Sequence, residues 1–189
     1  MNLKSLLSEK RTTIIKRWFD MILEAYPSNS ANFLKERQNQ FANPIGYTLS
    51  QSIEGIFEEL VKEADFDKVS PFIDDIVRIS AIQEIKPSQA LYFFFILKKV
   101  IRRELEKEIS ENRLECELAS LELTIDALAL LSFDLYLKCR EKLYEMRANE
   151  TKRLTYRLLQ KANLVYEVRD EPDFIQCNFK TASKMKRGN

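Results

Sequence analysis

A chain of 189 residues has room for one domain with a real core and an extension, but not for two comfortable domains. Its 30 basic and 29 acidic side chains leave a net +1, which excludes an overall field drawing it to nucleic acid or an anionic membrane. With 45% apolar and 31% charged residues the chain is not disordered throughout, and three glycines and five prolines leave little material for hairpin turns, so the composition says helix.

In chain order, charges arrive in Met1 to Arg11 before any apolar run long enough for a signal peptide. Leu3, Leu6, Leu7, Ile14, Ile15, Trp18, Phe19, Ile22 and Leu23 then form one stripe at helical spacing, predicting an amphipathic helix from Leu3 to Tyr26 that Pro27 ends. Ser28 to Ser30 offer caps for a short helix to about Arg37. At Asn43-Pro44 the side-chain oxygen of Asn43 can cap while Pro44 takes the first helical position, and the helix should run to about Ala64. Gly46 and Gly55 weaken it and are best explained by a close helix crossing. Asp65-Phe66-Asp67 lacks the offsets of a calcium loop and reads as a connection, with Ser70-Pro71 opening the next helix. That helix carries Phe72, Ile73, Ile76, Val77, Ile79 and Ile82 and closes before Pro87.

Pro87 to Glu108 reads as a central helix, because Leu91 to Leu97 is apolar all round and calls for neighbours on every side. That run is far short of the ~20 residues of a membrane span, so no membrane insertion and a cytoplasmic location are expected. In the long helix from Arg113 to Leu143, Leu114, Leu118, Leu121, Ile125, Leu128, Leu135 and Cys139 keep strict four-three spacing, interrupted at Ser132. Leu123, Ala127, Leu130 and Leu137 make a second stripe. One face should meet the domain's own core and the other a second copy of the chain, the alternative being a helix deeply embedded in its own monomer; the first stripe, Leu114 to Leu135, is the expected dimer interface. A charge-rich helix follows Arg140, with a break near Asn149 to Thr151 or a protruding arm. The expected organisation is a domain over 1–147, a charged helical extension over 148–169, and a flexible tail over 170–189.

The absence of histidine removes the commonest general base, the Ser-His and Cys-His systems and the proximal ligand of an ordinary haem globin. No phosphate loop or zinc spacing is present, and Cys116, Cys139 and Cys177 form no C-x-x-C pair. No catalytic residue, metal or cofactor is expected. Carboxylates such as Glu122 and Asp126 read as solvated faces, and Asp134 has Lys138 four residues on as an ion-pair partner. Tyr47, Arg78, Gln83, Ser88, Gln89 and Tyr92 are polar groups on or beside helices that read as mostly buried. Buried polar groups need partners, so these six either bond neighbouring backbone or line a site for an anion or small polar ligand.

The blocks F-A-N-P-I-G-Y-T-L (Phe41 to Leu49) and I-V-R-I-S-A-I-Q-E-I-K-P-S-Q-A (Ile76 to Ala90), followed by an aromatic apolar helix and Leu97-Lys98-Lys99, resemble the N-terminal domain of the RsbRD group of RsbT co-antagonist proteins. The resemblance covers about Ile14 to Tyr144. It implies an all-α, globin-like helical bundle with a long C-terminal helix and no haem, working as a dimeric input module in bacterial stress signalling. Ser80 departs from the second arginine of an R-I-R type motif. Stressosome-type relatives continue into a STAS domain, so this sequence resembles their input half alone. A non-catalytic, dimeric regulatory module acting on a separate signalling protein through its C-terminal helices is the expected function. The alternative is a small-ligand protein using the space equivalent to a globin haem pocket, which predicts a cavity beside Tyr92 to Phe95.

Overall fold

The computed structural model describes residues 2–24, 43–62 and 65–164. The short helix expected to about Arg37, the tail over 170–189 and Cys177 lie outside them. The described residues are helical without a strand: α1 (Leu3–Glu9), α2 (Arg11–Glu24), α3 (Pro44–Lys62), α4 (Phe66–Ile82), α5 (Pro87–Ala90), α6 (Tyr92–Glu104), α7 (Glu106–Asn112) and α8 (Glu115–Lys161). The chain is all-α with a long C-terminal helix. Its contacts divide it into Met1–Arg147 and Ala148–Asn189.

In the first unit, the stripe of α1 and α2 is buried as its spacing predicts. The single helix expected there breaks at Lys10, because the stripe lapses where Lys10 and Arg11 stand in its place. Lys10 reaches the end of α6 instead, its Nζ donating to the Glu104 carbonyl at 2.7 Å and to Glu108. A cation at a helix C-terminus satisfies an orphan carbonyl and complements the dipole.

α3 begins as read: Asn43 is buried, its Oδ1 accepts from the Gly46 amide at 2.8 Å, and Pro44 is the first helical residue. Gly55 does mark a close crossing, since a Cβ there would stand 2.5 Å from the Phe72 ring of α4. α4 itself starts earlier than Ser70-Pro71. Asp65 caps it by accepting from the Asp67 amide at 3.1 Å, and Pro71 lies inside the helix, where the carbonyl it leaves unbonded belongs to exposed Asp67.

The segment from Pro87 to Glu108 is three helices rather than one, bending at Leu91 and Leu105, both buried. It is also not enclosed on every side, because Tyr92 and Phe95 are exposed. Phe93, Phe94, Ile96, Leu97, Val100 and Ile101 form its core face. Trp18 stacks beside Phe93 at a 6.2 Å centroid distance and donates its Nε1–H to the Phe93 carbonyl at 2.7 Å, so the one tryptophan is buried with its polar atom satisfied.

Of the two expectations for Asn149 to Thr151, a break or a protruding arm, the break is absent: α8 continues through 149–151. In the second unit the described side chains, 148–164, are all exposed, and the helix closes on Asn163 in the left-handed region, with the Leu164 amide bonded to the Leu159 carbonyl at 3.0 Å.

Candidate functional site

α8 has two apolar faces, and burial distinguishes them. Leu114, Leu118, Ile125 and Leu128 are buried within the chain's own core, while Leu121 and Leu135 pack against it half-buried. Ser132 continues that face inward, its hydroxyl donating to the Leu128 carbonyl at 2.7 Å. This stripe is therefore the intramolecular face, and the assignment to a dimer interface is corrected for its buried members Leu114, Leu118, Ile125 and Leu128: side chains at 0% exposure, such as Ile125 and Leu128, have no surface left to offer a partner. The outward face is the second stripe. Leu123 and Leu130 are each 71% exposed, Leu137 and Phe133 each 40%, and Tyr144 follows in the same seven-residue rhythm. Five exposed large apolar side chains on one helix face exceed the scatter of an ordinary surface.

α8 is anchored to the body at two places along its length. Lys98 of α6 holds both oxygens of Asp126 at 2.9 Å, and Arg102 grips both oxygens of Glu122, which raises the guanidinium's pKa through that hydrogen bond. Further along, three side chains hold the turn after α4. Tyr136 donates to the Ile85 carbonyl, Arg140 to the Ala81 carbonyl at 3.1 Å, and Arg147 pairs with Glu84 at 2.7 Å. Burial pushes the Tyr136 phenol up, and the Arg147 hydrogen bond holds the Glu84 carboxyl below the ordinary carboxylate range. Glu84 occupies the left-handed region at φ 58°, and the Ile85 amide returns to the Ser80 carbonyl at 3.0 Å. Cys139 lies 3.9 Å from Asp74, with its thiol pushed up by burial first and by that carboxylate second, so it stays protonated near neutrality.

The six residues read as recognition groups do not converge. Arg78, Gln83, Ser88, Gln89 and Tyr92 are exposed and Tyr47 is half-buried, so the reading of mostly buried polar groups is corrected. Arg78 is held by Asp74 one turn back on α4, a partner that raises its pKa. Ser80 points inward and bonds its own helix at the Ile76 carbonyl, 3.0 Å away, so a cation at that position would not have joined Arg78. Gln89 and Tyr92 do come together, at a cavity they share with Ile22, Leu49, Ile76 and Phe93. Its volume is about 20 Å³, room for a water molecule rather than a ligand. Asp134 and Lys138 are both exposed and form no ion pair.

Sequence reasoning missed the Tyr136, Arg140 and Arg147 contacts. Two of their acceptors are backbone carbonyls, which carry no residue signature; only the placement of all three within three turns of one helix could have pointed to them. Among the described residues no group of three or more metal-ligating side chains is assembled, and no helix is long and apolar enough to cross a membrane.

No curated protein and no solved structure matches this sequence. Residues 12–151 match the RsbT co-antagonist protein rsbRD N-terminal domain. That span holds α2 from its second residue, all of α3 to α7, and α8 as far as residue 151 with both of its anchors; the chain belongs to the RsbT co-antagonist rsbRD N-terminal domain family.

Proposed function

We propose that this chain is a non-catalytic regulatory module of bacterial stress signalling that works as a homodimer and acts on a separate protein through its C-terminal helix. Family membership implies the stress-signalling role. The globin-like, haem-free reading of its helices and a cytoplasmic setting belong to the same proposal. The observation that carries it is the outward stripe of α8, Leu123, Leu130, Phe133 and Leu137, on a helix whose opposite face is already used by the core. Such a stripe is stable in water when covered, and a second copy of the same helix covers it with the least new specification. Two helices packed along such a stripe have few discrete arrangements, so a partner or ligand that prefers one arrangement shifts what the helix presents further along.

A ligand carrier using the space beside Tyr92 to Phe95 finds less support, because the cavity there holds about 20 Å³. Light scattering on the purified chain tests the proposal. A mass near twice 22.3 kDa at micromolar concentration is expected, and a mass of 22.3 kDa throughout would sink it.

A further inference from the structure

The first unit carries a larger concavity away from the outward stripe. At the junction of α6, α7 and the start of α8, a groove of about 460 Å³ is lined by Lys99, Arg102, Arg103, Glu106, Ile109 and Leu118. Its size falls in the ~300–1,000 Å³ range of small-molecule sites. Ile109 and Leu118 give it an apolar floor and are themselves buried.

The charges of this groove are unequal in their partners. Arg102 is taken by Glu122, and Lys98 just outside the groove is taken by Asp126. Lys99 bonds only a neutral phenol, the Tyr92 oxygen at 3.1 Å, and Arg103 forms no ion pair among the described residues. Lys99 and Arg103 stand four residues apart on α6, so two unneutralised cations share one face of the helix. Like charges at that spacing destabilise a helix, and an anion placed between them removes the penalty. Glu106, a turn further on, pairs with neither. A bare inorganic ion would leave the apolar floor wet, whereas an anion with an apolar body uses both features at once.

We propose that this groove binds a small amphiphilic anion, an apolar body ending in a carboxylate or phosphate that sits between Lys99 and Arg103 over Ile109 and Leu118. The proposal is independent of the dimer, because it uses none of the outward stripe of α8.

Calorimetric titration of the full chain with octanoate, octyl phosphate and 1-octanol tests it, with methyl NMR of Ile109 and Leu118 reporting the location. Either anion should bind saturably and shift both methyl groups; which binds tighter tells a carboxylate from a phosphate site. The Lys99→Gln/Arg103→Gln double variant should weaken that binding by ~10-fold or more. Both positions are exposed, so unchanged helicity by circular dichroism is expected to accompany the loss. Octanol binding as tight as the anions, saturable binding that leaves both methyl groups unmoved, undiminished binding by the double variant, or no saturable binding of either anion would each overturn the proposal.

Discussion

Gly55 and Arg113 are single residues whose backbone circumstances are opposite. At Gly55 any side chain meets the Phe72 ring, so Gly55→Ala should destabilise the chain by roughly 1–3 kcal/mol, the usual consequence of forcing extra volume into a packed crossing. Shortening the ring in a Gly55→Ala/Phe72→Leu double variant should return part of that loss, and urea midpoints of the three variants check it. Arg113 ends α7 in the left-handed region at φ 54°, with the Leu114 amide closing back on the Ile109 carbonyl at 3.1 Å. Its side chain is exposed, so Arg113→Gly should relieve the backbone at no cost in contacts and stabilise by about 1 kcal/mol, seen as a higher urea midpoint with an unchanged slope. Gly55 was legible in the sequence, since glycine within a helix asks for a crossing. Arg113 was not, because an arginine carries no sign that its φ is positive.

At the scale of elements, the cap-and-proline start of α3 was legible because all its chemistry lies within four residues, Asn43 to Gly46. The break at Lys10 and the early start of α4 also had local signals, the lapse of the stripe at Lys10-Arg11 and the cap of the Asp67 amide by Asp65, whereas the interruptions at Leu91 and Leu105 had none, because both leucines are buried against other helices. The turn after α4 shows dependence on another helix in a form that titrates. Glu84 keeps a left-handed backbone that glycine would adopt more easily, and its carboxylate is the partner of Arg147 on α8. The folded-state pKa of Glu84 is depressed by that hydrogen bond. The contribution of the pair is therefore fully present above the unfolded value and is lost as pH falls through the depressed one. Carboxyl NMR should show Glu84 titrating below the ordinary glutamate range in the native chain, and Arg147→Gln should bring it back toward that range. A Glu84 titration that ignores the Arg147 substitution would mean that the turn is not held by α8 through this pair.

For the molecule as a whole, the sequence made it plain that α8 has two apolar faces but not which of them turns inward. The four-three stripe with Ser132 in it and the stripe with Leu123 and Leu130 are comparably apolar, and periodicity records a face without recording what covers it. Burial decides: Leu128 belongs to the core of the chain and Leu130, two residues on, to its surface. That pair separates folding from association. If a second copy covers the outward face, thermal stability must rise with protein concentration, because association draws on the native state alone. Leu130→Lys removes an exposed side chain from that face, so it should abolish the concentration dependence and leave the melting temperature at that of the dilute native chain. Leu128→Ala instead empties a fully buried site and should cost about 2–5 kcal/mol at every concentration, with the concentration dependence kept. Melting curves of the native chain and both variants over a hundredfold range of concentration, on the order of micromolar upward, measure the two effects side by side. A native melting temperature that stays constant over that range would remove the second copy from the outward face of α8.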